Sequence, residues 1–182
     1  MGSLDRQIAV VTGASRGIGR GVAIGLGEQG ATVYVTGRSI GDKPRTIDTT
    51  AREVTEAGGK GIAIQTDHFE DAQIEAIFTQ IKEEHGHLDI LVNNVFKIPD
   101  PPAWDGGFWE HPVTIWDDQV GIGCRAHYVA SWHAAPLLFE SPKRPIIINI
   151  TSPAGLIYLF SSSYSTGKAA LDRLTHDMAV EL

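Results

Sequence analysis

One cysteine in 182 residues, Cys124, excludes an internal disulfide and any cysteine-cluster metal site. It fits a reducing, intracellular compartment. Long hydrophobic runs are missing as well. The longest, such as Ile146-Ile147-Ile148, fall far short of the roughly 20 residues of a membrane span. The first apolar run starts at Ile8, which leaves no room for a basic leader and a secretory core. In Met1-Gly2-Ser3-Leu4-Asp5-Arg6, arginine stands where a myristoylation signal needs Ser or Thr. A soluble, cytoplasmic segment with no membrane span is expected. An excess of positive charge is lacking too: 15 Lys plus Arg face 22 Asp plus Glu, for a net charge of −7. Such a chain offers no field to phosphate backbones, so nucleic acid is excluded as a main partner. There is no internal repeat, low-complexity tract or dividing linker, so residues 1–182 are expected to form a single domain.

What is present is ordinary globular composition, 42% hydrophobic and 20% charged, with length enough for a real core. Short β-branched runs alternate with longer segments of helical period. Strands are predicted at Ile8–Thr12, Thr32–Thr36, Ile62–Gln65, Ile90–Val92 and Ile146–Thr151, and helices at Gly17–Gln29, Thr46–Ala57, Asp71–Glu84, Val113–Phe139 and from Ser162 onward. Unbroken apolar strands suit a sheet covered on both faces. The rhythm predicts an α/β fold with a doubly wound parallel sheet. Lys97–Pro112, with Pro99, Pro101, Pro102, Trp104 and Trp109, is the one compositional break. It reads either as a solvent loop with a few buried aromatic anchors or as a wall or lid of a substrate pocket.

Val10–Gly19 carries a strand, a glycine-rich turn and a helix start in that order. Gly13 permits a tight turn, Gly17 lets backbone N–H groups approach a pyrophosphate, and Gly19 lets the helix pack closely on the strand. The helix N-terminus adds positive partial charge toward the anion. A glycine triad alone often marks only a turn, but this context points to a dinucleotide.

The spacing of Thr12–Gly19 resembles the cofactor motif of the short-chain dehydrogenase/reductase family. Asn93-Asn94 resembles the start of that family's N-N-A-G motif, and Tyr164-Ser165-Thr166-Gly167-Lys168 its Y-x-x-x-K motif, with Ser152 twelve positions upstream. A closer resemblance, to one branch of the family's vertebrate dehydrogenase/reductase series, rests on Phe108-Trp109-Glu110, Pro112, Trp116-Asp117-Asp118, Arg125, His127-Tyr128, Ser152-Pro153, Tyr158 and Phe160. The resemblance implies a Rossmann fold, hydride transfer between a nicotinamide cofactor and a carbonyl or alcohol, and cofactor contacts at Gly13, Ser15, Arg16, Gly17, Ile18, Gly19, Asn93, Tyr164 and Lys168.

The second strand ends Val35-Thr36-Gly37-Arg38-Ser39, without the acid that would accept from ribose hydroxyls and repel a 2′-phosphate. Arg38 offers the phosphate a planar fork of donors, and relatives that use NADP commonly add an arginine at the place of Arg16. NADP(H) is therefore the expected cofactor. Two surface arginines on an NAD-using protein are the alternative. Asp67 matches the family acid at the adenine amino group, with an N-cap role for the next helix as the competing reading. Tyr164 is the expected proton donor. Lys168, four residues on and on the same helix face, favours its phenolate, and by resemblance it also holds the nicotinamide ribose. Ser152 would donate to the substrate oxygen as charge develops.

The sequence departs from the family in several places. Gly123 stands where many members carry an Asn that orders a relay water, and Val95-Phe96 replaces Ala-Gly, adding bulk expected near the cofactor ribose. His85 and His87 flank Gly86 and read as solvated turn residues, while Trp132 and His133 read as packing or subunit contacts. No metal site is expected. By resemblance, the helix of Trp132 and the helix of Tyr164 form a dimer interface, so a homodimer or homotetramer is expected. Family members run on past the position of Leu182 with two more strands and a substrate loop. Without a strand alongside Ile146–Thr151, residues 1–182 alone are expected to self-associate, bind NADPH weakly and turn over negligibly. A non-catalytic NADP(H)-binding sensor or interaction module is the competing function.

Overall fold

The computed structural model describes residues 2–102 and 105–182. Met1, and Trp104 of the proline-rich loop, lie outside the described residues. Five strands, β1 (Ile8–Val11), β2 (Thr32–Gly37), β3 (Lys60–Gln65), β4 (Ile90–Asn93) and β5 (Ile146–Asn149), form one sheet in the order β3-β2-β1-β4-β5. The pairs β1–β2, β1–β4 and β2–β3 are parallel, with Ile8 beside Thr32 and Val10 beside Leu91. β1 and β4 are buried throughout, as their unalternating apolar residues require. Three helices connect the first four strands: α1 (Gly17–Glu28), α2 (Ile47–Glu56) and α3 (Asp71–His85). Thr46 caps α2 by accepting from the Thr49 N–H at 3.2 Å, and Gly86, in the left-handed region, ends α3. The strand order is that of a doubly wound, Rossmann-like sheet.

The expected long helix starts at Thr114 and is not α-helical throughout. After a short turn α4 (Thr114–Trp116), residues Asp117–Arg125 take the wider π-helical form before α5 (Ala126–Phe139) resumes. Gly121 and Gly123 lie in the widened stretch, where weak helix propensity lowers the resistance to such a change. β5 stops at Asn149, two residues early, because Ile150 turns its carbonyl to the Lys168 ammonium at 3.0 Å. A 3₁₀ turn (Pro153–Gly155) and α6 (Ser162–Glu181) follow.

Contacts gather the chain into two compact units. One comprises 1–95 and 129–148, the other 96–128 and 149–182. In the first, Ala9, Val10, Val33, Val35, Leu91 and the α3 residues Ile74, Ile77 and Ile81 are buried. In the second, α6 packs on the π-helical stretch and on the 3₁₀ turn.

The histidines differ from expectation. His85 Nε2 lies 2.8 Å from the Tyr34 hydroxyl and its ring stands edge-on to Tyr34. The His87 Nε2 lies 3.5 Å from buried Asp89. Both rings are half-buried, each against a polar side chain: Tyr34 on β2 and Asp89 just before β4. Trp132 is exposed, whereas His133 stacks on Phe78. In the proline-rich loop, Phe108 and Trp109 pack edge-to-face on each other and are about three-quarters exposed, so neither ring is a buried anchor. Among the described residues, no helix is long and apolar enough to cross a membrane.

Candidate active site

The glycine turn belongs to the first unit. Gly13 and Gly17 have φ of +64° and +59°, which glycine adopts without strain. Apart from its chain neighbours and its own helix backbone, no described residue comes within 4 Å of where a Cβ on Gly17 would stand, so the turn leaves open space at that point. Gly19 is tight instead: a Cβ there would come within 2.3 Å of the Asn94 amide nitrogen. That amide donates to the carbonyls of Thr12 and Gly13 at 2.9 and 3.0 Å, while Thr12 Oγ1 accepts from the N–H groups of Asn94 and Val95. Thr12 and Asn94 thus clamp the turn in shape. Arg16, at the N-cap of α1, makes no side-chain cap, so the first helical N–H groups are left for an anion. Ser15 is half-buried, and Arg16 and Ile18 are exposed at the same turn. An open cradle, an uncapped helix end and an exposed arginine are the features that a dinucleotide pyrophosphate needs, so these residues fit such a cofactor.

Asn93 is tied to α5. It is fully buried, and its amide donates to Ser131 Oγ at 3.0 Å, bracing β4 on α5. Asn94, one residue on, alternates to the other side and does the work at the turn. Asp67 is not the cap of α3, which is Glu70. Asp67 accepts from the Phe69 N–H at 3.1 Å and stands 3.9 Å from Arg38. That exposed ion pair is worth at most about 1 kcal/mol, a small obstacle to Arg38 meeting a phosphate. A hollow of about 460 Å³ beside the turn is lined by Arg16, Gly17, Arg20, Lys43, Arg45 and Arg52, among others. Arg20 is paired with Glu53 and Arg52 with Asp42, whereas the side chains of Arg16, Lys43 and Arg45 have no ion-pair partner among the described residues.

Ser152, Tyr164 and Lys168 all belong to the second unit. Ser152 caps the 3₁₀ turn by accepting from the Ala154 N–H at 3.2 Å, which leaves its own O–H free to donate. Gly155 seats this turn on α6, since a Cβ there would strike the Asp172 carboxylate and approach the Lys168 backbone. Ser161 caps α6 by accepting from the Tyr164 N–H at 3.2 Å and donates to Gln119 Oε1, while Ser163 donates to the same oxygen. Tyr164 is half-buried between the rings of Phe96 and Phe160, at 5.3 and 5.5 Å, and its hydroxyl has no hydrogen-bond partner among the described residues. Lys168 is 6% exposed. Burial pushes its ammonium below the ordinary lysine range, against a smaller upward pull from Asp172 and Cys124. Phe96, expected near the cofactor ribose, lies on the Tyr164 ring.

Sequence reading missed Thr12, Asn94 and Gln119 as supports of the site. The paired asparagines carried a signal for Asn94. Gln119 carried none, because its role depends on serines more than forty positions away.

Comparison with known proteins agrees with this geometry. The family model described as short chain dehydrogenase matches residues 7–182. The chain is 42% identical over 179 residues to dehydrogenase/reductase SDR family member 1 of Mus musculus, covering 97% of this chain and 56% of that protein. It therefore spans little more than half the length of this curated relative. A metagenomic short-chain oxidoreductase solved with NADP superposes with a TM-score of 0.88 at 34% identity, covering 99% of this chain and 78% of the other. A short chain dehydrogenase/reductase from Burkholderia phymatum, solved with NAD, gives 0.86 at 25% identity, covering 100% and 62%. Fold, motifs and matches agree: this chain is a member of the short-chain dehydrogenase/reductase family of oxidoreductases.

Proposed function

We propose that the protein transfers a hydride between NADP(H) and a carbonyl or alcohol substrate, with Tyr164 as acid–base, Lys168 as its electrostatic partner and Ser152 as donor to the substrate oxygen. The observation that carries this reading is the pair on α6: a tyrosine hydroxyl with no hydrogen-bond partner among the described residues, one helical turn before a buried ammonium. The bound cofactor supplies or accepts the hydride. Gly13, Ser15, Gly17, Ile18 and Gly19 hold its pyrophosphate, Asp67 its adenine, Arg16 and Arg38 its 2′-phosphate, and Tyr164 and Lys168 its nicotinamide ribose. Tyr164 then hands a proton to the oxygen on which charge develops, while the unspent O–H of Ser152 holds that oxygen in place. The exposed Phe108 and Trp109 are proposed as a wall of the substrate pocket. The exposed Trp132 and Phe139 of α5 support a homodimer or homotetramer built on helices.

Titration of cofactor fluorescence tests the specificity. NADPH binds about 10- to 150-fold more tightly than NADH, the worth of one charge-assisted contact, and Arg38→Asp abolishes that preference. Equal affinities, or a preference that survives Arg38→Asp, would remove Arg38 from the site. With NADPH and a panel of aldehydes, quinones and ketosteroids, Tyr164→Phe lowers turnover by about 10²–10⁴-fold at nearly unchanged cofactor affinity. Wild-type turnover in that variant would assign the acid elsewhere.

A further inference from the structure

Phe96 touches more of the candidate chemistry than any family motif gives it. Its ring stands edge-on to Tyr164, with centroids 5.3 Å apart and planes at 70°. The Lys168 ammonium lies over the face of the same ring, 5.5 Å from its centroid, within the reach of a cation–π contact. On its remaining side the ring meets Gly123: a Cβ built there would lie 3.6 Å from Phe96 Cδ2, at ordinary contact distance. A longer side chain at 123 would need the space that the ring fills. One aromatic group therefore contacts both members of the Tyr–Lys pair and rests on Gly123, one of the two positions of the π-helical stretch that have no side chain.

We propose that Phe96 is a positioning residue for hydride transfer, holding the Tyr164 ring and the Lys168 ammonium in register and keeping water from the ammonium, in the space that Gly123 leaves. This rests on the roles given above to Tyr164 and Lys168. The groups facing Lys168 are Asp172 from α6, Cys124 from the π-helical stretch and the Ile150 carbonyl after β5, with the Lys97–Asp118 ion pair beside Phe96 in the chain. Phe96 is the apolar member of that set, so its removal changes hydration without adding or deleting a charge.

Two measurements test the role. The first needs no turnover: the side-chain nitrogen of Lys168, assigned through Lys168→Arg, is followed by NMR against pH. Phe96→Ala admits water, whose solvation of the charge outweighs the lost cation–π contact, and moves the Lys168 midpoint upward by about half a pH unit or more, whereas Phe96→Leu, which keeps the site apolar, gives no such rise. An unchanged midpoint in Phe96→Ala overturns the proposal. The second uses NADPH and phenanthrenequinone as a probe carbonyl. Phe96→Leu lowers kcat about tenfold with KM and NADPH affinity within about twofold, and Phe96→Tyr, which restores the ring, restores kcat. A loss that appears in KM alone, or a Phe96→Tyr variant as slow as Phe96→Leu, overturns it. Failure of the general reading looks different: Tyr164→Phe then keeps its rate whatever stands at 96.

Discussion

Lys168 bears a cost that its surroundings offset only in part. The Ile150 carbonyl and the Phe96 ring are its closest stabilising contacts, and burial holds its titration below the ordinary range. A lowered lysine value means that the folded state favours the neutral amine. The stability penalty is therefore full below the folded value and fades as pH rises from there toward the unfolded value. At pH 7, Lys168→Met keeps the length of the side chain and removes the buried charge, so its urea midpoint should rise while NADPH-dependent turnover falls by about 10²-fold or more. Chemical denaturation and a steady-state assay on the same preparation check both halves. A lower midpoint would mean that the ammonium is a net stabiliser. Lys168, Tyr164 and Ser152 stood out in the sequence because their spacing resembles a family motif, and the structure places all three in one unit. Phe96 was visible only as extra bulk. Its contacts come from Gly123 and Tyr164, 27 and 68 positions on, and no local pattern encodes that meeting.

At the scale of elements, the joint between the ends of β2 and β3 depends on a histidine that no motif marked. His68 is buried, with Nε2 3.0 Å from Thr36 Oγ1, and burial pulls its value down from 6.5 to about 4, with Asp67 and Arg38 acting in opposite directions. The unfolded chain thus binds a proton between pH 6.5 and 4 that the folded chain refuses, and stability is lost as pH falls through that window. From pH 7 to pH 5 the loss from this one group is about 2 kcal/mol. His68→Gln keeps a hydrogen-bonding group for Thr36 and should flatten that part of the curve in urea unfolding at the two pH values. An equal acid loss in the variant would place the titration elsewhere. Element types were readable from the unalternating apolar strands and the helix-ending glycines. Their ends were less so, because tertiary partners set them: β5 stops where the Ile150 carbonyl finds Lys168. The π-helical stretch was unreadable, although Gly121 and Gly123 marked the place where the helix yields.

For the whole molecule, the order β3-β2-β1-β4-β5 makes β5 an edge, and Ile146 and Ile148 on it are exposed. An apolar edge strand is a template for pairing with another copy. Light scattering on the 182-residue chain should therefore report species heavier than 19.6 kDa, and Ile148→Lys should reduce them. Association untouched by that change but lost in Trp132→Glu would shift the contact to α5. The sheet itself was legible because each strand carried its own apolar signature. The division into two units was not, since it cuts inside α5 between Tyr128 and Val129 and inside β5 between Ile148 and Asn149. That interleaving constrains how genes of this family can exchange parts. Each unit is assembled from two separated stretches, so a single crossover with a relative always leaves at least one unit with two parents. Exchanging the Ser152–Tyr164–Lys168 unit whole takes three junctions, at 95/96, 128/129 and 148/149, and chimaeras joined at all three should fold more often than those joined at one.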